Sequence, residues 1–223
     1  MDREALKRAA AARAIEEVED GMVVGLGSGS TAEIAIALLA ARRPRIVGVP
    51  TSARTARLAR SLGLPLATLD EQPRLDLVID GADQVARGTL DLVKGLGGAL
   101  LREKIVASAA RRMIVMVDDS KLVDRLGGRT PLPVEIVAFG RRSTLDRLER
   151  AGFHPALRGG TGQPFVTDGG NHIADCPIAA IEDPARLERE LSAIVGVIEC
   201  GLFIGLASRV IVAGARGVEV IER

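Results

Sequence analysis

The sequence predicts an α/β protein, with a parallel sheet flanked by helices and a second, smaller α+β unit. Three observations predict this. Short apolar runs alternate with helical patterns through the first half of the chain. The runs are continuous rather than alternating, as in strands buried on both faces. Past Gly127-Gly128 the texture changes: Pro131 and Pro133 mark a boundary, and a hairpin signal follows.

The N-terminal stretch MDREALKRAAAARAIEEVEDG reads as a charged amphipathic helix ending near Asp20-Gly21, without a signal peptide's apolar region. Met22 to Leu26 reads as a strand, Gly27 to Thr31 as a glycine loop, and the next helix runs through Ala41. Arg45 to Val49 is a second strand, Ser52 to Leu62 a helix, and Leu64 to Thr68 a third short strand. Leu75 to Ile79, broken only by Asp76, is a buried strand ending in Asp-Gly. Ala99 to Ala110 is a helix of good formers, and Arg112 to Val117 another strand. Together these make a Rossmann-like sheet. Beyond the prolines, Val134 to Phe139 reads as a strand and Arg141 to Ala151 as a helix. Gln163 to Cys176 reads as two strands around Asp168-Gly-Gly-Asn171, Asp183 to Ile194 as a helix and Val195 to Phe203 as a strand. That order is ferredoxin-like. Arg209 to Ile221 carries two Val/Ile runs around Gly214 and Gly217 and returns to the first unit. The expected division is 1–129 plus 205–223 for the Rossmann-like domain and 130–204 for a smaller α+β domain.

A chain of 223 residues with 47% hydrophobic content is long enough for a substantial core and is not disordered. Its apolar stretches are too short to span a bilayer. Thirty basic against twenty-nine acidic residues give a net charge of +1, and Trp and Tyr are absent. Both facts argue against a nucleic-acid surface. Cys176 and Cys200, with no secretory signal, read as reduced thiols of a cytoplasmic protein. His154 and His172 have no metal-ligand spacing, and Asp80 with Asp83 lacks the third partner of a magnesium site, so no metal is expected.

Chemistry collects between Leu77 and Ala107. Asp80 and Asp83 sit at the C-terminal end of a strand, where open α/β sheets bind ligands. Lys94 leads into Gly95, Gly97 and Gly98, a turn whose N–H groups can face an anion, ahead of a helix N-terminus. On that helix Ala99, Glu103, Val106 and Ala110 share a stripe, so Glu103 lies among small apolar side chains. Desolvation there raises a carboxyl pKa toward that of a useful base. The bland alternative is a solvated Glu103 paired with a surface cation.

Gly27 to Thr31 offers a second anion site, with N–H groups, a helix dipole and the hydroxyls of Ser28, Ser30 and Thr31. Gly27-x-Gly29-x-x-Ala32 also fits a dinucleotide fingerprint. The next strand, however, ends Val49-Pro-Thr-Ser52 without the carboxylate that would hold a ribose, and no Walker lysine follows the loop. A small phosphate ester fits better than NAD or ATP.

Asp80-Gly-Ala-Asp83, Lys94-Gly with Gly97-Gly-Ala99, and Arg102-Glu-Lys-Ile105 together resemble the signature region of type A ribose-5-phosphate isomerases. Gly25-Leu-Gly-Ser-Gly-Ser-Thr31, Asp118-Asp-Ser-Lys121, Pro131-Leu-Pro-Val-Glu135, Val166-Thr-Asp-Gly-Gly-Asn171 and Gly201-Leu-Phe203 extend the likeness along the chain. The resemblance implies a cofactor-free aldose–ketose isomerase acting on ribose 5-phosphate and ribulose 5-phosphate, in the pentose phosphate pathway, as a homodimer or homotetramer. It implies Glu103 as the base, and Lys94 with the turn N–H groups of Gly95, Leu96 and Gly97 as stabilisers of an enediolate. Asp80, Gly81, Ala82 and Asp83 would hold the sugar, with one aspartate aiding ring opening. Ser28, Gly29, Ser30 and Thr31 would hold the phosphate, aided by Lys7, while Lys121 reaches the sugar. Leu96 departs from the family's third glycine, narrowing the backbone while leaving its N–H available. Ile204-Gly-Leu-Ala-Ser208 lacks an expected aspartate before Val210. A non-catalytic sugar-phosphate sensor is the rival, but it would carry a helix-turn-helix and a basic face, and it has no need of Glu103 and Lys94 together.

Overall fold

The structure is a computed structural model and describes residues 2–223. Helix α1 (Arg3–Ile15) leads to β1 (Val23–Leu26), α2 (Ser30–Arg42), β2 (Val47–Pro50), α3 (Ala53–Ser61) and β3 (Leu77–Gly81). The short β4 (Gln84–Ala86) and β5 (Leu92–Val93) precede α4 (Leu100–Ser108), β6 (Met113–Asp118) and β7 (Leu122–Val123). Next come β8 (Leu132–Ile136), α5 (Arg141–Arg150), β9 (Ala156–Leu157), β10 (His172–Cys176), α6 (Pro184–Ser192), β11 (Val197–Cys200) and β12 (Leu202–Phe203). A hairpin of β13 (Arg209–Gly214) and β14 (Gly217–Glu222) follows.

The largest sheet runs β14-β13-β6-β3-β1-β2, parallel except for β14. Alternate side chains of one strand enter different cores, which is why these strands read as unbroken apolar runs. Leu77 and Ile79 pack with α1 and α2, while Val78 packs with Val106 and Ala107 of α4. The second sheet, β11-β8-β10-β9, is antiparallel and built by the predicted ferredoxin-like order of strand, helix, two strands, helix, strand. Leu148 of α5 and Leu191 of α6 share its core.

Several expectations change. Helix α1 stops at Ile15, because Glu17 and Val18 bond back to Ala14 and Ile15 in tighter turns and Val18 is buried. Leu64 to Thr68 forms a single bridge, Leu66 to Gly48, rather than a strand. Pro65 has no N–H, and Thr68 turns its N–H to Glu71 Oε2 (2.7 Å). Asp168 to Asn171 is a turn, but no strand precedes it, and β10 pairs instead with β8 and β9. The expected Val195 to Phe203 strand divides at Gly201, β11 joining β8 and β12 joining β5. A small third sheet, β12-β5-β4-β7, lay unforeseen, since strands of two or three residues show no period.

The β1 and β3 ends are drawn together where the connections leave in opposite directions, the switch point of a doubly wound sheet. Gly27 N–H donates to Ile79 carbonyl there (3.0 Å), and a Cβ on Gly27 would lie 2.2 Å from Asp80 Oδ1. Gly27→Ala is therefore expected to cost about 1–3 kcal/mol through overpacking. An unchanged urea midpoint would show that this approach is not tight.

Candidate active site

Thirteen of the sequence-derived residues line one cavity of about 460 Å³ at the C-terminal ends of the parallel strands: Lys7, Ser28, Gly29, Ser30, Thr31, Gly81, Ala82, Asp83, Lys94, Gly95, Gly97, Glu103 and Lys121. Asp80 and Leu96 lie outside its lining. A larger groove of about 680 Å³, near the opposite ends of β1 and β2, holds Arg43 and Arg45 but no carboxylate.

The centre of the cavity is a buried charge cluster. Lys94, at the end of β5, is fixed when its N–H donates to the Gly201 carbonyl (2.8 Å) as β12 pairs with β5. Its ammonium donates to the Gly81 carbonyl (2.6 Å) and lies 3.0 Å from Asp80 Oδ2 and 3.4 Å from Glu103 Oε2. Neither carboxylate oxygen has a well-directed hydrogen bond, so these contacts are ionic. The Phe203 ring centre lies 5.4 Å from the Lys94 ammonium and 5.3 Å from the Lys104 ammonium.

Glu103 is 5% exposed, on the apolar stripe the spacing predicts. Burial pushes its carboxyl up to about 8; Lys94 opposes that rise, and Asp80 and Asp83 add to it. Burial also raises Asp80, against the pull of Lys94. For Lys94, burial would lower the pKa, but the carboxylates of Asp80 and Glu103 outweigh it and keep the ammonium charged well above its ordinary range.

Asp80 needs correction as a direct sugar ligand. It is fully buried, and Oδ1 accepts the N–H groups of Ser28 (3.1 Å) and Gly81 (2.7 Å) while Oδ2 faces Lys94. Asp83 is half-buried and lines the cavity, with Oδ2 accepting the Leu96 N–H (3.0 Å). Leu96 is thus corrected as well: its N–H is already engaged by Asp83 rather than available to substrate.

At the other end, the first-turn N–H groups of α2 have no intrahelical acceptors and face the cavity beside Gly29, Ser30 and Thr31. Lys7 Nζ donates to Ser30 Oγ (2.9 Å), which brings a cation from α1 to this anion site. Ser28 behaves differently from expectation. Its N–H goes to Asp80, and its hydroxyl enters a cluster with Thr51 (2.8 Å), Ser52 (2.8 Å) and Thr55 (3.1 Å). Ser28 shapes the loop rather than donating outward. Lys121, on the turn after β6, completes the rim.

Sequence reasoning passed over Ser52, Arg54, Arg57, Phe165, Val166 and Asp168, which also line the cavity. Arg54 and Arg57 are one turn apart on α3, capped by Ser52 (Thr55 N–H to Ser52 Oγ, 3.0 Å); their place after a parallel strand was the available signal. Arg54 pairs with Glu33 (Nη2 to Oε2, 2.9 Å). Asp168 accepts the Ala53 N–H (2.7 Å), and Arg102 donates to the Asp168 carbonyl (2.9 Å), tying the 163–171 turn across the opening. Phe165 sits where a Cβ on Gly98 would fall 2.4 Å from its ring, and Gly98 has φ +84°, so glycine is required twice over.

Glu188, Glu199 and Cys200 also meet, but around the Lys104 ammonium, 2.8 and 2.7 Å from the two carboxylates. Both thiols are buried and unpaired, and burial pushes Cys176 up to about 12 and Cys200 to about 11. His172 is buried, its Nδ1 2.9 Å from the Phe165 carbonyl, and His154 lies 2.9 Å from Glu149.

Following the Glu103 carboxyl carbon by NMR should give a titration midpoint near 8, and Lys94→Met should move it higher by removing the attraction that favours the carboxylate. A midpoint near the ordinary 4.5 would mean that Glu103 is solvated.

Comparison with known proteins agrees with this geometry. The family model "Ribose 5-phosphate isomerase A (phosphoriboisomerase A)" matches residues 47–217. A ribose-5-phosphate isomerase A of Gloeobacter violaceus is 57% identical, covering 99% of this chain and 97% of its own. The ribose 5-phosphate isomerase A structure from Methanocaldococcus jannaschii superposes with a TM-score of 0.93 at 39% identity, covering 100% of both chains. A D-ribose-5-phosphate isomerase solved with phospho-erythronic acid superposes at 0.95, with 40% identity and 100% of both chains covered. With the signature residues gathered around one cavity, the chain belongs to the ribose 5-phosphate isomerase A family.

Proposed function

We propose that this cavity interconverts D-ribose 5-phosphate and D-ribulose 5-phosphate through an enediolate, with Glu103 as the base. The observation that carries the reading is a nearly buried carboxyl beside a buried ammonium, in a cavity whose far end is a helix N-terminus. The Glu103 carboxylate takes the C2 proton of the open-chain aldose and returns it to C1 of the enediolate. The hydroxyl proton moves from O2 to O1, so the sugar is neither oxidised nor reduced overall and no redox cofactor is needed.

Lys94 supplies positive charge beside the developing enediolate, and Gly97 contributes an N–H on the cavity wall. Asp83 Oδ1 is the carboxylate oxygen left for a sugar hydroxyl, which favours Asp83 over Asp80 for aiding ring opening. Gly29, Ser30, Thr31 and Lys7 hold the phosphate, with Lys121 and Arg57 at the rim. Fixing the phosphate away from C1 and C2 orients the reacting carbons, an effect worth up to about 7–11 kcal/mol in ideal cases. The relative bound to phospho-erythronic acid supports a site for a phosphorylated open-chain acid. The joint presence of Glu103 and Lys94 favours turnover over sensing. Within the pentose phosphate pathway the protein would stand at this isomerisation.

Residues 130–204 are proposed as a separate oligomerisation unit, giving a cytoplasmic homodimer or homotetramer. Support comes from two apolar side chains on this unit, Phe139 at 93% and Val195 at 74% exposure. Sedimentation should return a mass of two or four chains; a monomer at micromolar concentration would remove the oligomer proposal. No helix among the described residues is long and apolar enough to cross a membrane.

Glu103→Gln should lower turnover of ribose 5-phosphate by roughly 10²–10⁴ while inorganic phosphate still binds. Because the base works deprotonated, wild-type kcat/KM should rise with pH through about 8. Full activity in the variant would reassign the base, whereas binding without turnover in the wild type would favour the sensor reading.

A further inference from the structure

Arg158 follows β9 on the antiparallel unit, far in sequence from the residues assigned above. Its side chain is 16% exposed and is gripped along one edge by Asp175 of β10, with Nε 2.8 Å from Oδ2 and Nη2 2.5 Å from Oδ1. From the opposite edge Nη1 donates to the carbonyls of Gly95 (3.1 Å) and Leu96 (3.0 Å). The Phe165 ring lies 5.8 Å from the guanidinium carbon. A guanidinium clamped by a bidentate carboxylate is a rigid fork, unlike a lysine ammonium.

The two peptides it holds are trans, so their C=O and N–H bonds point in opposite directions. Anchoring the Gly95 carbonyl sends the Leu96 N–H away from Arg158, and that N–H donates to Asp83 Oδ2 (3.0 Å). Anchoring the Leu96 carbonyl likewise sends the Gly97 N–H away from Arg158, at a residue that lines the cavity. A charge-assisted bond on a peptide oxygen also polarises the N–H on its other side. The turn therefore receives its orientation from a side chain outside the cavity lining.

We propose that Arg158, locked by Asp175, is a positioning residue for the isomerisation: it orients the turn peptides that brace Asp83 and present the Gly97 N–H to the enediolate oxygen. The proposal rests on the isomerase reading. It separates Arg158 from a mere tie between two units, because the peptides it grips are those whose other ends meet Asp83 and the cavity.

The test compares wild type with Arg158→Met, Arg158→Lys and Asp175→Asn. Five quantities are measured: kcat and KM for ribose 5-phosphate, Tm, affinity for inorganic phosphate, and affinity for phospho-erythronic acid, whose carboxylate imitates the enediolate end. Arg158→Met should lower kcat by about 10- to 100-fold with KM within about three-fold of wild type. Acid-phosphate affinity should fall while inorganic phosphate affinity holds. Arg158→Lys keeps the charge but lacks the fork, and should recover only part of the rate. Asp175→Asn should shift the same quantities in the same direction, and it decides the matter if Arg158→Met does not fold. A folded Arg158→Met with unchanged kcat and acid-phosphate affinity would overturn the proposal. So would parallel losses of Tm, phosphate affinity and rate with no split between the two ligands. A wild type that binds both ligands yet never turns over would sink the isomerase reading instead; the split between the two ligands would still decide whether Arg158 orients the turn.

Discussion

The structure is organised around one ammonium that has been taken out of water. Lys94 Nζ sits between Asp80 and Glu103, and removing an ion from water costs several kcal/mol unless partners offset it. Two carboxylates, the Gly81 carbonyl and the Phe203 ring supply that offset. The partners are not interchangeable. Asp80 also accepts the Ser28 N–H, so the same carboxylate that holds the lysine holds the phosphate loop. Glu103 has a cavity wall on its other side and a pKa near 8, so it can gain and lose a proton near neutral pH without leaving the core. One charge cluster thereby links the proposed proton-transfer end of the cavity to its proposed phosphate end.

The arrangement also explains why the short strands matter. β12 and β5 comprise only two residues each, yet their pairing sets the Lys94 backbone, and Gly201 passes the chain from one sheet to the other at that point. Phe203, in the same short strand, lies near both Lys94 and Lys104, the latter with carboxylates of its own in Glu188 and Glu199. Two buried or half-buried lysines thus share an aromatic wall while keeping separate acidic partners.

What could be read from the sequence follows from how local each cause is. The parallel strands were legible because burial on both faces leaves continuous apolar runs such as Leu77 to Ile79. Glu103 was legible because helical spacing alone places it with Ala99 and Val106. The failures share the opposite property. Ser28 turns its hydroxyl inward because Thr51, Ser52 and Thr55 are brought against it by the packing of β2 and α3 on β1, which no local pattern encodes. The strand expected before Asp168 does not form because Phe165 is drawn to Gly98, and Thr167 to the buried Glu135 (2.9 Å). Asp80 reads as a sugar ligand at a strand end and becomes an internal counter-ion once β1 and β3 lie side by side. Arg158 carries no motif, and only the approach of two sheets gives it a role.

The placement of β13 has a consequence for the history of each molecule. It lies between β6 and β14, and its residues alternate between the two cores that cover the parallel sheet, Ile211 and Ala213 in one and Val210 and Val212 in the other. All the antiparallel sheet strands, residues 132–200, are synthesised between β6 and β13. As the chain leaves the ribosome, the antiparallel unit can therefore assemble while β6 still presents an open edge, a surface that invites pairing with other chains. The large sheet closes only when the strand at 209–214 arrives, a late, long-range contact of the kind that slows folding. The interval between those two events is set by the 90 residues that separate β6 from β13, during which the β6 edge has no partner strand.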